Sequence, residues 1–148
     1  MINLIKKLKP GDLDQFKALV KLFEEVFEME NFKMPADVHL QKVLAKDNFV
    51  VLIAEADDKI VGGLTAYILA QYYTTVPLVY IYDLAVKSSF QRQGIGKMII
   101  AKLKAYCKKI GVEEVFVQAD LADEHASQFY QATGGKAENV IHFDYNLK

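Results

Sequence analysis

The stretch from Leu78 to Gly111 constrains the fold most, because it joins a buried strand to a helix through a loop with two glycines. "LVYIYDLAV" is too apolar for a strand with one face in water. The loop "KSSFQRQGIGK" then places Gly94 and Gly96 where a helix begins. The apolar positions of that helix recur at helical spacing: Ile95, Ile99, Leu103, Tyr106 and Ile110. Because the first amides of a helix lack internal partners and its dipole favours negative charge, we expect an anion site at this junction.

The rest of the chain supplies further strands and helices around this unit. "DLDQFKALVKLFEEVF" predicts a helix with Phe27 on its apolar face, and "PADVHLQKVLAKD" predicts another with Pro35 at or near its first turn. A hairpin is predicted at Asp57 and Asp58, then a strand "EEVFVQA", a helix from about Asp123 to Thr133, and a last strand "NVIHFDYNL". The predicted order is β-α-α-β-β-β-α-β-α-β. We therefore expect an α/β (α+β) fold in one domain, residues 1–148, since this length suits a single core.

The cysteine count and the lengths of the apolar runs exclude several classes of protein and of metal site. Cys107 is the only cysteine, so neither a disulfide framework nor a thiolate metal site is expected. We read Cys107 as a packing residue. Paired lysines follow the first five residues, too early for a signal peptide, and no apolar run is long enough for a membrane span. The expectations are a cytoplasmic protein with no metal and no membrane or nucleic-acid partner.

The net charge of −1 conceals an uneven distribution. From Lys87 to Val112 there are seven basic residues and no acidic one: Lys87, Arg92, Lys97, Lys102, Lys104, Lys108 and Lys109. The remainder holds 11 basic residues against 19 acidic ones, a net charge of −8. A basic segment suits a polyanion and an acidic remainder suits a cation, although exposed charge can also be an ordinary solvated surface.

The glycine loop lacks both the Gly-Lys-Ser/Thr end of a Walker motif and the third glycine of a dinucleotide fingerprint. Gln91-x-x-Gly94-x-Gly96 resembles instead the acetyl-CoA pyrophosphate loop of the GNAT superfamily of N-acetyltransferases. That resemblance implies a mixed central sheet, splayed at the fourth strand and flanked by about four helices. It also implies acetyl-CoA as co-substrate, bound by Leu84, Ala85, Val86, Gln91, Arg92, Gln93, Gly94, Ile95, Gly96 and Lys97.

A second stretch strengthens the resemblance. "DEHASQFYQATGG" is similar to the family's Asn-x-x-Ala-x-x-Phe-Tyr-x-x-x-Gly helix, but Asp123 replaces the usual asparagine and Gly135 the usual aromatic residue. From about Phe49 to Tyr145, the strings "YIYDLAV", "RQGI", "VQAD" and "HFDY" most resemble the aminoglycoside 3-N-acetyltransferases.

Three residues are candidates for proton transfer. Tyr130 matches the family's general acid, and its alternative role is that of a buried aromatic residue. Asp83, a carboxylate in an apolar strand, is the favoured base, or else it ties down backbone amides at the splay. Asp120 is the second candidate base. The resemblance further implies that an amide between Leu84 and Val86 faces the thioester oxygen.

These features predict acetyl transfer, by direct attack, to a primary amine of a small polycation, namely an aminoglycoside (at its 3-amino group) or a polyamine-like molecule. The candidate acceptor residues are Asp120, Asp123, Glu124, Glu28 and Tyr72. The alternatives are a protein lysine or N-terminal acetyltransferase and a non-catalytic acetyl-CoA sensor. His142 and Asp144 share one face of the predicted last strand, where a homodimer contact, a substrate contact or an ordinary satisfied histidine are all open.

Overall fold

A computed structural model describes residues 4–148, which form two compact units: one that ends at Val117, and Gln118–Lys148. The elements of the first unit are β1 (Leu4–Lys7), α1 (Leu13–Val26), α2 (Asp37–Leu44), β2 (Phe49–Ala56), β3 (Lys59–Leu69), β4 (Leu78–Val86), a 3-10 turn (Ser88–Phe90), α3 (Ile95–Lys109) and β5 (Glu114–Val117). The second unit contains α4 (Glu124–Ala132). The expectation of a single domain over residues 1–148 stays a prediction.

The five strands form one mixed sheet in the order β1-β2-β3-β4-β5. The first four strands are antiparallel, and β5 is parallel to β4. On one face, α1 and α2 bury a cluster that includes Phe16 and Leu19 against Phe49 and Val51 of β2. Because side chains alternate along a strand, Val50 of β2 points to the other face, where α3 packs. The predicted mixed sheet with helices on its faces is confirmed.

The hairpin prediction holds, and one helix detail differs. Asp57 and Asp58 both have positive φ (51° and 61°), as a two-residue turn that matches the strand twist requires. Pro35 lies near the first turn of α2, as predicted: the helix begins at Asp37, and Ala36 between them is the extended N-cap with ψ 148°. Phe27, expected on the apolar face of α1, follows the last helical turn and is 41% exposed, with its ring stacked on Phe23.

The predicted last strand is wrong. Residues 135–148 contain no helix or strand, and all of them are exposed, including His142 and Asp144. A strand exists only where a neighbouring strand takes up its backbone hydrogen bonds, and no described strand pairs with this segment. The sequence "NVIHFDYNL" therefore alternates as a strand does, but the described part of the chain assigns it no strand.

Within residues 4–148, none of the helices has both the length and the apolar character that crossing a membrane demands. Cys107 lies on the buried side of α3, as expected for a packing residue. Burial raises the pKa of its thiol, which opposes formation of a reactive thiolate.

Candidate active site

The loop between β4 and α3 has the backbone geometry of an anion site. Arg92 and Gly94 both lie in the left-handed region, with φ 63° and 81°. Gly94 begins α3, and its carbonyl accepts the first helical bond from the Met98 amide at 3.0 Å. A side chain at Gly94 would meet open space, so the conformation and not crowding requires glycine.

Two helices of the chain begin in contrasting ways. At α4, the Asp123 carboxylate accepts a hydrogen bond from the Ala126 amide at 3.1 Å. At α3, no described side chain caps the first turn, which leaves the amides of Ile95, Gly96 and Lys97 facing outward from the helix end. The uncapped N-terminus of α3, at the positive end of the helix dipole, can bind an external anion. The N-terminus of α4 already binds the carboxylate of Asp123.

Among residues 4–148, no ion pair involves the basic segment beside this N-terminus. Arg92, Lys97 and the lysines along α3 are exposed. The ion pairs of the described chain lie elsewhere: Lys6–Asp12, Lys17–Asp37 and Lys21–Glu24. Uncapped amides, left-handed loop residues and unpaired cations together fit a pyrophosphate and an additional phosphate group.

Gln91 and Gln93 differ from the backbone amides in what they can contribute. The Gln91 side chain donates a hydrogen bond to the Val86 carbonyl at 3.0 Å, so it fixes the loop to the end of β4. Gln93 is exposed. We infer that Gln91 shapes the loop rather than contacting a ligand with its amide.

The splay of the fourth strand is present. Strand β5 pairs with β4 only from Leu78 to Ile81, so no strand of the described sheet neighbours Tyr82 to Val86 on that side. This edge contains Leu84, Ala85 and Val86, the residues expected to face the thioester. On the side where pairing with β5 has ended, the backbone groups of these residues are available for hydrogen bonds to an extended ligand.

A bulge in β4 turns Tyr82 and Asp83 to the same face of the sheet. Asp83 pairs with Thr65 and Ile81 with Ala66, so Tyr82 has no partner in β3. Consecutive strand residues normally face opposite sides, and an extra residue removes that alternation. The ring of Tyr82 contacts Tyr67 at 5.8 Å between centroids.

Asp83 lies partly buried at this bulge. Burial raises the pKa of its carboxyl, and the hydrogen bonds of the described residues include none to its oxygens. Tyr67 lies close enough that its own pKa is raised, first by burial and then by Tyr82 and Asp83. A raised pKa makes the Asp83 carboxylate a stronger base than an ordinary aspartate.

Sequence reasoning missed a row of aromatic rings on the first unit. Tyr67, Tyr82, Tyr80 and Phe116 follow one another at centroid distances of 5.8, 6.1 and 4.9 Å. Tyr82 is 61% exposed in the middle of β4, beside Asp83. The alternation of Tyr80 and Tyr82 in "YIYD" was the available signal, but it also fits a strand that packs in the core.

Tyr130 lies in the last turns of α4, in the second unit. Its carbonyl accepts hydrogen bonds from the Gly135 amide at 2.9 Å and the Thr133 hydroxyl at 2.8 Å. A Cβ at Gly135 would lie 2.9 Å from that carbonyl, which explains the glycine where the family's aromatic residue was expected. The helix end therefore fixes the backbone of Tyr130.

The carboxylates expected at the acceptor site are exposed. Asp120, Asp123 and Glu124 adjoin one another in the second unit, and the Asp123 amide donates to the Asp120 carbonyl at 2.9 Å. Asp123 also caps α4, a position at which aspartate and asparagine are equally suitable residues.

The remaining acceptor candidates lie in the first unit. Glu28 is exposed, with φ 51° at the position after the α1 C-cap, where glycine is the usual residue. Of its acidic neighbours, Glu24 is paired with Lys21 at 2.7 Å. Tyr72 and Tyr73 are both exposed in the loop before β4, where their hydroxyls share a 2.7 Å hydrogen bond that raises the pKa of Tyr72.

Known proteins resemble the chain over most of its length. Aminoglycoside N(6′)-acetyltransferase type 1 of Salmonella typhimurium is 27% identical over 116 residues, 74% of this chain and 80% of that protein. The aminoglycoside acetyltransferase meta-AAC0020, from an uncultured soil metagenomic sample, was solved in complexes with trehalose and with sisomicin. It is 51% identical with a TM-score of 0.96, covering 98% of this chain and 96% of its own.

A third protein, the aminoglycoside acetyltransferase HMB0005 from an uncultured soil metagenomic sample, is 34% identical with a TM-score of 0.93, over 100% of this chain and 99% of its own. The curated relative is of the N(6′) type, so the resemblance to 3-N-acetyltransferases is supported only as far as aminoglycoside acetyltransferases in general. The profile of the acetyltransferase (GNAT) family matches residues 16–134. The chain therefore belongs to the GNAT family of acetyltransferases, enzymes that use acetyl-CoA as acetyl donor.

Proposed function

We propose that this enzyme acetylates an aminoglycoside, and that the acceptor is its 6′-amino group. The observation that carries the proposal is the 51% identity, over 98% of the chain, to an aminoglycoside acetyltransferase solved with sisomicin. The N(6′) type of the curated relative favours the 6′-amino group over the 3-amino group that the sequence indicated.

Acetyl-CoA would be held by the first unit and would supply the acetyl thioester. The amides from Gly94 to Lys97 would bind its pyrophosphate, and the exposed lysines of α3 would neutralise its remaining phosphate charge. The part of β4 beyond its pairing with β5 would form backbone hydrogen bonds with the extended pantetheine portion of acetyl-CoA. An amide between Leu84 and Val86 would face the thioester oxygen and stabilise negative charge there.

The chain's own residues would manage two protons. An aminoglycoside amine is an ammonium group in neutral water, so it must lose a proton before its nitrogen can attack. Asp83 would take that proton, with Asp120 as the alternative base. Tyr130 would donate a proton from its hydroxyl to the departing sulfur.

Tyr130→Phe should lower kcat about 10²-fold and leave acetyl-CoA affinity unchanged. We expect the lower end of the range for acid catalysis, because a thiolate is a tolerable leaving group without a proton. Single-turnover kinetics give the rate of the chemical step, and calorimetry gives the affinity. A variant that turns over like the parent when chemistry limits the rate removes Tyr130 from the acid role.

The KM for a polycationic acceptor should rise steeply with salt. Outside the basic segment the chain carries a net charge of −8, and salt shortens the Debye length from about 10 Å at 0.1 M to about 3 Å at 1 M. Asp120→Asn and Asp123→Asn should each raise KM at low salt. Since asparagine also caps helices, Asp123→Asn should keep α4 intact. Salt-independent KM values would exclude steering by these carboxylates.

Glu28→Gly should stabilise the fold while weakening acceptor binding. A non-glycine residue in the left-handed region costs about 1 kcal/mol, which glycine recovers. Removal of an exposed carboxylate should raise the acceptor KM at low salt. Thermal unfolding and steady-state kinetics measure both effects, with Glu25→Gln as control. A higher melting temperature with an unchanged KM would leave Glu28 without a role in binding.

The position of acetylation is tested on an aminoglycoside that carries both a 6′-amino and a 3-amino group. The purified product of a reaction with acetyl-CoA is assigned by two-dimensional NMR. We expect the acetyl group on the 6′-nitrogen. Acetylation at the 3-nitrogen would restore the expectation from the sequence, and absence of any product would contradict the aminoglycoside proposal.

A further inference from the structure

Thr65, in the middle of β3, is a polar residue at a position where an apolar one would pack. Among residues 4–117 it is the one polar side chain that is buried, with 5% of its surface exposed. It lies on the face of the sheet that α1 covers, because a Cβ at Gly63, two residues earlier in β3, would collide with Leu19. The buried residues of α1 are all apolar: Phe16, Leu19, Leu22 and Phe23. The buried face of α1 therefore offers the Thr65 hydroxyl no side-chain partner.

Asp83 lies directly opposite Thr65 in the neighbouring strand. Strands β3 and β4 are antiparallel, and their register pairs these two residues. Directly opposed residues point to the same face of a sheet, with their Cβ atoms about 4.5–5.5 Å apart. At that separation, a hydroxyl and a carboxylate can be joined by hydrogen bonds through one water molecule. Since a partly buried carboxylate is costly without polar neighbours, Thr65 provides one in an otherwise apolar part of β3.

We propose that Thr65 is a positioning residue for Asp83: its hydroxyl donates a hydrogen bond, through one water molecule, to the ionised carboxylate. An ionised carboxylate only accepts hydrogen bonds, so the hydroxyl and the water must be the donors. This contact holds the carboxylate in one orientation and favours its ionised form. The consequence for turnover rests on the proposed function, in which Asp83 takes the proton of the acceptor.

The other titratable groups on this face beside Asp83 are the phenols of Tyr67 and Tyr82. Tyr67 follows Thr65 on the same face of β3, and the bulge turns Tyr82 to that face as well. Helix α1 buries only apolar residues here, α3 packs on the opposite face, and β5 ends its pairing before Asp83. Burial raises the pKa of the Asp83 carboxyl, and a hydrogen bond from Thr65 opposes that rise. Loss of the hydroxyl should therefore raise this pKa further.

The replacement Thr65→Val, with Thr65→Ser as matched control, tests the proposal by carbon-13 NMR of the aspartate carboxyl groups. Valine has the shape of threonine without the hydroxyl, whereas serine keeps the hydroxyl. The Asp83 signal is assigned by its loss in Asp83→Asn. We expect the pKa of Asp83 to rise in Thr65→Val and to stay near the parental value in Thr65→Ser. On the acidic side of the pH profile, kcat/KM of Thr65→Val should be about three- to tenfold below the parent, and at high pH it should approach the parent.

An unchanged or lower pKa of Asp83 in Thr65→Val would overturn the proposal, and so would a serine variant that behaves like the valine variant. A raised pKa with an unchanged pH profile of kcat/KM would support the role of Thr65 and contradict that of Asp83 as base.

Thermal unfolding tests the same contact without turnover. Because the folded-state pKa of Asp83 is higher in Thr65→Val, this variant should lose stability relative to the parent as pH rises above the ordinary pKa of 3.8. In the Asp83→Asn background, the effect of Thr65→Val on the melting temperature should be the same at every pH. A pH-dependent effect in that background would overturn the proposal, since the hydroxyl would then act on another group.

Discussion

Replacement of Asp83 by asparagine should lower kcat/KM by about 10²- to 10⁴-fold and at the same time make the folded protein more stable at neutral pH. The loss of activity follows if Asp83 takes the proton of the acceptor ammonium. The gain in stability follows because burial raises the pKa of this carboxyl, and so its ionised form is unfavourable in the folded chain.

The direction of the pKa shift of Asp83 determines how the stability of the fold changes with pH. Above the ordinary pKa of 3.8, and up to the raised pKa of the folded state, the folded chain holds this proton more strongly than the unfolded chain. Stability therefore falls as pH rises through that window, and Asp83→Asn removes the fall. The two melting temperatures should coincide in acid and separate in favour of the variant towards neutral pH.

Lower activity together with higher stability of Asp83→Asn would distinguish the two roles considered for Asp83. If the carboxylate served to tie down backbone amides at the splay, asparagine would leave the fold equally or less stable. The variant's residual activity should also rise with pH, as the acceptor amine loses its proton in solution. Asp120→Asn is the matched control: if it abolishes turnover while Asp83→Asn does not, Asp120 is the base.

Gly96→Glu should abolish acetyl-CoA binding without unfolding the chain. Gly96 is in the first turn of α3, and a carboxylate there would oppose the pyrophosphate at the uncapped amides. Helix propensity improves by roughly 0.8–1 kcal/mol when glycine is replaced, and a carboxylate at a helix N-terminus adds about 0.3–1 kcal/mol. We therefore expect a higher melting temperature together with lost binding.

Gly96→Gln separates bulk from charge in this experiment. Glutamine has the size of glutamate without its charge, so acetyl-CoA should bind to it more weakly than to the parent but more tightly than to the glutamate variant. Calorimetry measures all three affinities. A glutamate variant that binds acetyl-CoA as tightly as the parent would place the pyrophosphate elsewhere.

The sequence predicted best what depends on local patterns. The strand, glycine loop and amphipathic helix from Leu78 to Gly111 are all present, because apolar periodicity and the backbone needs of Gly94 are local. The prediction of a last strand was wrong because the alternation in Asn139–Leu147 specifies the pattern of a strand but not the neighbour with which it pairs, and the sheet of the described residues contains only β1 to β5.

The bulge at Tyr82 could not be predicted from the sequence either. It arises from a mismatch of register between β3 and β4, which neither strand encodes alone. Without it, the proximity of Tyr67, Tyr82 and Asp83 on one face could not be anticipated. Asp83 was singled out as a carboxylate in an apolar strand, but its partial burial and raised pKa needed the structure. Likewise, the cap that Asp123 forms on α4 gives a structural reason for a residue first considered for its charge.

The central claim, acetyl transfer from acetyl-CoA to an aminoglycoside, is tested most directly by the rate of free-thiol release with different acceptors. An aminoglycoside, a polyamine, a peptide with a neutral N-terminus and a lysine peptide are compared at equal acetyl-CoA concentration, with Asp83→Asn as the inactive control. We expect the aminoglycoside to give the highest kcat/KM and the control to give almost no release. Release with a peptide but not with an aminoglycoside or a polyamine would contradict the claim and identify a protein acetyltransferase, and absence of release with every acceptor would favour an acetyl-CoA sensor.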